Sequence, residues 1–596
     1  MCGIFGIVVN QQQPLGTILT EAGQRLSYRG YDSVGCATLH DDGAIDLRKD
    51  VGRVDDVAER LGFAEMVGSR GMVQLRWATF GAPSQANAQP HLDSAGGMVG
   101  AHNGNVVNNI ELREAFIREG MTVRSTNDGE SCVHAVERYL RQGCGPIDAI
   151  RRAYDDLEGD YAFVIGRADD HRLYALKKGS GLVVGLAEGA TCVSSDLPSI
   201  LPLTRRVVRV EDGEIVELTA DGAKLWRVHD GGRVERDPET IAESMATVQK
   251  GGYPHFMLKE IHEQPQVARE LLHLLDSSPH VDPVVDGMAG AGHLYLVGCG
   301  TSYHACLIGA VALGRVAGRP AVPVLAPQFI AQYGRAIGPQ DVGLFVSQSG
   351  ETKDVLNALE VAQGRGMTIL GLVNVLGSTL MIESERYLPL ACGYEISVPA
   401  TKTFMNQALV FLYLALRMAG RDTALLSDVP ALLERTMAGV EPQLMPLEPI
   451  LAPRDDLYCL GYGLTYPIAL EGALKLKEVT YAHWEGILST EFKHGSLSAV
   501  DDGYPVIFVT GPEDVPLMIS GINETTCRGG RAIAIGEADP RLAANVDDLI
   551  ELPPAGPLIN PLLATVPLQL LSYRLSVARG YDPDFPRNLS KTLTVD

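Results

Sequence analysis

The sequence predicts an α+β region followed by two α/β subdomains with parallel sheets, and three observations carry that expectation. Over residues 1–240, short alternating or apolar runs are separated by turn residues, the pattern of an antiparallel, sheet-rich domain. From residue 285 the chain alternates apolar strand, Gly-rich turn and helix, which suits a parallel sheet with helices on both faces. That alternation occurs twice. Leu294 in His293–Gly300 aligns with Leu457 in Asp456–Gly463 at a shift of 163 (457 minus 294), and Val342–Val346 aligns with Tyr504–Phe508 at a shift of 162 (504 minus 342). Two strands in register at nearly one spacing mark an internal repeat.

A chain of 596 residues is too long for one core, so about two to four domains are expected. A hydrophobic content of 46% and a charged content of 21% belong to a globular protein. The formal net charge of −23 argues against nucleic acid or an anionic membrane as partner over most of the surface. An anionic substrate is still allowed, because local backbone N–H groups can hold it. The ten cysteines are scattered, with no CxxC pair and no zinc-like His/Cys spacing, and no secretory signal or basic leader is read. This predicts a reducing, cytoplasmic setting. No apolar run reaches the length of a membrane span, and no metal or organic cofactor is expected.

In the first region the strand-like runs are Ile4–Val9, Val34–Leu39, Met72–Leu75, Met98–His102, Ala162–Ile165, Leu173–Leu176, Leu182–Leu186, Thr191–Ser194, Arg206–Val210 and Glu214–Leu218. Helical patterns occupy Leu15–Leu26, Asn109–Glu119, Glu130–Gln142 and Pro146–Leu157. The chemistry centres on Cys2. Aminopeptidases remove an initiator methionine when the next residue is small, so Cys2 is expected to become the N-terminus. One residue then carries a thiol, whose thiolate is a nucleophile, and a free α-amine with a pKa of about 7.7–8.0 that can serve as its base. The competing reading is a small buried hydrophobe at the start of a strand.

Three clusters bear on Cys2. Arg76-Trp77-Ala78-Thr79 follows a strand, and an arginine there can hold a carboxylate with two parallel hydrogen bonds. His102-Asn103-Gly104-Asn105 ends another strand, and the Asn103 amide with the Gly104 N–H can donate to a developing oxyanion. Asn127-Asp128-Gly129-Glu130 opens a helix, where Asp128 either caps the helix or receives an ammonium group. Together they supply what hydrolysis of the side-chain amide of free glutamine needs. MCGIFGIV, LSYRGYDS, RWAT, HNG and TNDGE resemble the N-terminal-nucleophile glutamine amidotransferases. The resemblance implies a four-layer αββα domain, with Cys2 as nucleophile and its amine as base. It further implies glutamine binding by Arg76, Thr79 and Asp128, an oxyanion site at Asn103 and Gly104, and an ammonia gate at Trp77. Phe80 and Gln89 stand where many relatives carry histidine, and Gln74 also replaces a common histidine.

The stretch Asp230–Gly252 is polar and contains glycine, placing a boundary near residue 240. Residues 241–284 read as linker and leading helix (Phe256–Leu275), 285–425 and 450–575 as the two α/β copies, and 576–596 as a tail. In the first copy Ser347-Gln348-Ser349-Gly350-Glu351-Thr352 lies between a strand and a helix, and Cys299-Gly300-Thr301-Ser302 follows the preceding strand. Hydroxyls, free N–H groups and a helix dipole at the carboxyl edge of an open sheet suit a phosphate. The matching loop of the second copy, Thr510-Gly511-Pro512-Glu513-Asp514, loses the hydroxyl cluster and an N–H and gains two acids. One sugar-phosphate site per chain is therefore expected, in the first copy. The second copy offers Glu471, Lys475 and Glu478, spaced i, i+4, i+7 on one face of an apolar helix. A buried carboxylate there has a raised pKa and can carry a proton. His494 can titrate near neutrality, and Lys591, in a tail anchored by Leu589, Leu593 and Val595, can form a Schiff base with a ketose carbonyl.

CGTSY, SQSGET, ALEGALKLKE, KHG and the terminal PRNLSK resemble the sugar isomerase half of the isomerising glutamine:fructose-6-phosphate aminotransferase family, also known as glucosamine-6-phosphate synthases. With the N-terminal motifs, the resemblance spans the whole chain. It implies that Glu478 moves a proton between C1 and C2, that His494 assists ring opening from a neighbouring subunit, that Lys591 binds the carbonyl and that Lys475 supports Glu478. It assigns the sugar phosphate to Thr301, Ser302, Ser347, Gln348, Ser349, Thr352 and Val398. It implies a homodimer whose substrates are glutamine and a ketose 6-phosphate, most simply fructose 6-phosphate, with ammonia channelled between two sites. Ala400, Ser496, Ser590 and the stretch 484–490 depart from the family pattern. They leave open the same chemistry on a different ketose phosphate, or a catalytically silent sugar-phosphate-binding homologue.

Overall fold

A computed structural model describes residues 2–78, 81–241 and 250–591. The chain divides into two compact units. One runs through Gln249 and takes in the stretch beginning at Ser590; the other is Lys250–Leu589.

The first unit is built on two antiparallel sheets. The eight-stranded sheet runs Glu239–Thr240, Arg206–Arg209, Val183–Ala187, Ala190–Ser194, Gly3–Pro14, Val67–Arg76, Ser33–Leu39, Ile45–Val51. The seven-stranded sheet runs Arg233–Val234, Gly222–Arg227, Glu214–Thr219, Leu173–Lys178, Tyr161–Arg167, Met98–Gly104, His91–Leu92. Their inward-facing residues form one core that includes Ile4, Val8, Met72, Val99, Ala101 and Val164. Alternate positions on the second sheet, such as Phe163 and Ile165, bury against the helices Asp128–Arg141 and Pro146–Asp156. The helix Gly16–Arg25 packs on Val67–Arg76 of the first sheet. The layers are therefore helix, sheet, sheet, helix, as the family resemblance implies. Every strand-like run of the first region overlaps a strand, and each helical pattern overlaps a helix, with several ends displaced by a residue or two. The sequence pattern does not mark the edge strand Ile45–Val51. Its Asp46, Arg48, Lys49 and Asp50 mask the alternation, although Ile45 and Leu47 pack on the core.

The second unit holds two five-stranded parallel sheets. Their orders are Val322–Leu325, Leu294–Gly298, Val342–Ser347, Thr368–Val373, Arg386–Pro389 and His483–Leu488, Asp456–Gly461, Pro505–Val509, Arg531–Glu537, Asp548–Leu552. Counted within each copy, both run second, first, third, fourth, fifth, so the internal repeat is a repeat of topology. In that order the first and third strands are neighbours whose connections leave in opposite directions. Their carboxyl ends flank the crevice where open α/β sheets take ligands. Cys299–Ser302 and Ser347–Thr352 follow those two strands. Among the described residues, no helix is long and apolar enough to cross a membrane.

A continuous apolar core runs through this unit, and it contains close helix contacts. The helix Gly300–Ala317 meets Lys402–Met418 where Gly309 faces Phe411; a Cβ on Gly309 would lie 2.4 and 2.6 Å from two ring carbons. A Cβ on Gly314 of the same helix meets nothing within 4 Å. Gly309→Val is expected to lower stability by about 1–3 kcal/mol through overpacking. Gly314→Ala is expected to raise it by up to about 1 kcal/mol through helix propensity. Thermal midpoints ordered Gly309→Val, wild type, Gly314→Ala check this.

Candidate active site

In the first unit, strand register brings the sequence-predicted residues together. Gly3 pairs with Leu75, so Cys2 lies beside the exit of the strand that carries Arg76 and Trp77. The Cys2 thiol is buried and sits against the Trp77 backbone, whose N–H donates to Sγ at 3.4 Å and whose carbonyl lies 3.6 Å from Sγ. Arg29 donates to the Cys2 carbonyl at 3.1 Å and pairs with Asp196 at 3.2 Å, fixing the strand start. Burial pushes the thiol pKa up. The Trp77 N–H and Arg76 oppose that rise, and Asp128 adds to it.

Arg76 is buried, with Nη2 donating to the Gly81 carbonyl at 2.6 Å. Burial lowers its pKa, and Cys2, Asp128 and Asp32 counter that, so thiol, guanidinium and carboxylate share one electrostatic neighbourhood. Asn127, not Asp128, caps the helix: its Oδ1 accepts from the Gly129 N–H at 3.0 Å. Asp128 is thereby freed from capping. Its carboxylate is buried, accepting from the Val106 N–H at 3.0 Å and from the Asn127 amide at 3.2 Å. His102 Nε2 lies 3.6 Å from Asp128. Burial lowers the His102 pKa, Asp128 acting against this and Arg76 with it, which keeps the imidazole neutral. Asn103 is fully buried, and neither its Oδ1 nor its Nδ2 has a hydrogen-bond partner among the described residues. Such an amide is costly unless something else occupies the site. Gly104 has φ +110°, and a Cβ there would lie 2.1 Å from the Asp160 carbonyl oxygen. Thr79 lies outside the described residues. Trp77 is half-buried.

In the second unit the Ser347–Thr352 loop is wound on its own hydroxyls. Ser347 Oγ accepts from the Gly350 N–H at 3.0 Å and lies 3.0 Å from Thr352 Oγ1, while Ser349 Oγ accepts from the Glu351 N–H at 3.1 Å. The Gln348 carbonyl accepts from the N–H groups of Asn374 and Val375. Gly350 takes φ +70°, and a Cβ would lie 2.1 Å from Ser378 Oγ, so only glycine fits this turn. The Val398 N–H donates to the Asp584 carbonyl at 2.9 Å.

The other predicted hydroxyls have protein partners. Thr301 Oγ1 donates to Glu471 Oε1 at 3.0 Å, and Ser302 Oγ accepts from the Gln407 amide at 2.9 Å. His304 Nδ1 lies 2.7 Å from the other Glu471 oxygen. Glu471 in turn lies 3.5 Å from the Lys475 ammonium, which donates to Glu478 Oε2 at 2.6 Å. The side chains of Glu471 and Lys475 are 1% exposed and that of Glu478 is 18% exposed. Burial pulls the Lys475 pKa down, but Glu478 and Glu471 more than offset it, and the ammonium stays charged above its usual range. In the sequence Glu471 belongs only to a helical stripe; its link to Thr301 and His304 of the other copy follows from no spacing. His494 is exposed, and Lys591 is half-buried and belongs with the first unit.

The glutamine amidotransferase domain family matches residues 75–202 and the SIS domain family matches residues 287–417 and 450–579. The chain is 40% identical over 613 residues to a protein of Pyrobaculum aerophilum named glutamine–fructose-6-phosphate aminotransferase [isomerizing], covering 100% of both chains. It is 40% identical over 603 residues to a protein of that name from Methanothermobacter thermautotrophicus and 37% identical over 603 residues to one from Aquifex aeolicus, again covering 100% of each. Among solved structures, the C-terminal domain of glucosamine-fructose-6-phosphate aminotransferase from Francisella tularensis matches at a TM-score of 0.51 and 31% identity, over 57% of this chain and 100% of that one. Tagatose-6-phosphate ketose/aldose isomerase from Escherichia coli shares the fold at a TM-score of 0.50 and 20% identity, over 56% of this chain and 96% of that one.

The buried charge cluster yields a stability prediction. Lys475→Met strands two carboxylates and is expected to cost about 3–5 kcal/mol. Adding Glu471→Gln to that variant removes one stranded charge and recovers part of the loss. Urea unfolding of wild type, single and double variants checks the order; a double variant no more stable than Lys475→Met contradicts it.

Proposed function

The chain belongs to the isomerising glutamine–fructose-6-phosphate aminotransferase family, and from that premise we propose how its residues divide the reaction. It transfers the amide nitrogen of glutamine to fructose 6-phosphate, giving glucosamine 6-phosphate and glutamate. The observation that carries the glutaminase half is the buried Cys2 thiol on the Trp77 backbone, in one electrostatic neighbourhood with Arg76 and Asp128. Glutamine's α-carboxylate pairs with Arg76 and its α-ammonium with Asp128, presenting the side-chain amide to Cys2. The Cys2 α-amine, freed by loss of Met1, takes the thiol proton and returns it to the leaving ammonia. The Asn103 amide and the Gly104 N–H receive the oxyanion, which gives the partnerless buried Asn103 its missing acceptor. Water then hydrolyses the thioester.

Ammonia passes the Trp77 gate and condenses at C2 of the ketose, returning the water consumed in hydrolysis. The phosphate sits on the Ser347–Thr352 loop together with Thr301, Ser302 and Val398, while Lys591 holds the carbonyl before ammonia arrives. Glu478 lifts a proton from C1 and delivers it to C2. Lys475 donates to that carboxylate at 2.6 Å and holds it in place. His494 is exposed, consistent with reaching the site of a second copy in a cytoplasmic homodimer. The full-length identity to fructose-6-phosphate aminotransferases favours fructose 6-phosphate over another ketose phosphate, in spite of Ala400.

Purified protein supplied with glutamine and fructose 6-phosphate is expected to form glucosamine 6-phosphate. Cys2→Ala abolishes glutamine hydrolysis and aminated product but retains nitrogen-free conversion of fructose 6-phosphate to glucose 6-phosphate. Glu478→Gln does the reverse, losing about 10²–10⁴-fold in both sugar products while still hydrolysing glutamine in the presence of fructose 6-phosphate. Asn103→Ala lowers kcat for hydrolysis by about 10²–10³-fold with little change in KM. Glutamate release without any hexosamine phosphate overturns the substrate assignment.

A further inference from the structure

The Asn103 amide has no hydrogen-bond partner among the described residues, so no hydrogen bond aims it. Its direction is only as well defined as the backbone that carries it. That backbone is the end of Met98–Gly104, which pairs with Tyr161–Arg167 on one side through Asn103 and Gly104. On its other side the short strand His91–Leu92 pairs only at Leu92 with Val99 and His91 with Gly100. Continuing that register places residue 89 opposite His102, but Pro90 has no N–H with which to extend the ladder.

The side chain of Gln89 completes it instead. Gln89 Oε1 accepts from the His102 N–H at 2.7 Å, and Gln89 Nε2 donates to the His102 carbonyl at 3.0 Å. One primary amide thus replaces the backbone of an absent strand residue, satisfying both edge groups of the residue before Asn103. Gln74 Nε2 adds a third bond to the same carbonyl at 3.2 Å. Gln89 is 1% exposed and lies in a fitted slot. A Cβ on Gly35 would lie 2.2 Å from its carbonyl oxygen, and a Cβ on Gly129 would lie 2.5 Å from its Oε1. The residue is also held from outside. Lys49 donates to the carbonyls on either side of it, Ala88 at 2.5 Å and Pro90 at 3.0 Å. Lys49 lines a cavity of about 560 Å³ together with Ala86 and His91.

We infer that Gln89 is a positioning residue for the Asn103 oxyanion donor, and that Lys49 holds Gln89 in place. The inference rests on the reading that Cys2 hydrolyses glutamine. An oxyanion donor must sit about 2.7–3.1 Å from the developing charge, so a small drift of the strand end loses the bond in the transition state while substrate binding by Arg76 and Asp128 persists. The signature is a loss in kcat without a matching change in KM.

The test measures glutamine hydrolysis by the full chain with fructose 6-phosphate present. A chloroketone analogue of glutamine that alkylates Cys2 counts the folded sites, so that kcat is per competent site. Gln89→Ala is expected to lower kcat by roughly 10- to 100-fold with KM within about threefold, and conversion of fructose 6-phosphate to glucose 6-phosphate unchanged. Gln89→His, whose ring offers one donor and one acceptor nitrogen, restores much of the rate. Lys49→Ala lowers the same kcat, and ethylammonium entering the enlarged cavity returns part of it. A Gln89→Ala kcat within twofold of wild type overturns the inference, as does a loss carried by KM alone. Wild type that does not hydrolyse glutamine overturns both the inference and the reading beneath it, a result that needs no variant to recognise.

Discussion

The second unit is organised around an enclosed ammonium. Lys475 sits between Glu471 and Glu478, with the first of these also bound by Thr301 and His304 of the other copy. Removing an ammonium from water is costly, and Coulomb attraction offsets that cost only where the remaining lone pairs are also satisfied. Here the Glu471 oxygens are shared among a hydroxyl, an imidazole and the ammonium. The cluster therefore does two jobs with one set of contacts. It fixes the helix Thr465–Thr480 against Gly300–Ala317, which joins the copies, and it leaves Glu478 as the exposed member of the chain, 18% accessible against 1% for its neighbours. The carboxylate proposed as the proton carrier is the one that the fold covers least.

The first unit reaches its site by a different route, through strand ends. Cys2, Arg76 and Asn103 all lie at or beside the ends of strands. The Trp77 backbone, not a side chain, meets the thiol. Asp128 is available only because Asn127 takes over the cap.

Much of this was legible in the sequence. The strands of the first region announce themselves through alternation, and the repeat through two aligned strands, because both follow from local periodicity. Cys2, Arg76, Asn103 and Asp128 could be singled out because each sits in a short motif at a strand or helix end. What stayed hidden depends on tertiary register. Thr301 and Glu471 are 170 positions apart, and nothing in CGTSY says that its threonine turns toward a carboxylate in the other copy. Gln89 and Gln74 read only as missing histidines, although both amides close on His102. Choosing between Asn127 and Asp128 as cap needed the helix start to within one residue, which periodicity does not give.

The two copies also show how a duplicated crevice divides its labour. In the first, hydroxyls and N–H groups line the loop after the third strand. In the second, the equivalent loop closes on itself: the Asp514 N–H donates to the Gly511 carbonyl, and a Cβ on Gly511 would lie 2.7 Å from the Asp514 carboxylate. Burial raises the Asp514 pKa, with Glu513 adding to the rise and Arg315 opposing it. Glu513 has turned outward to pair with Arg315 of the first copy at 2.6 Å, an exposed contact worth little energetically. A loop carrying two carboxylates and a proline suits a phosphate poorly, so the proposed reading keeps the anion in the first copy. On the proposed reading the second copy instead supplies, from the helix after its first strand, the Glu478 carboxylate and the Lys475 ammonium. The sheets keep the symmetry of the repeat, and the loops break it.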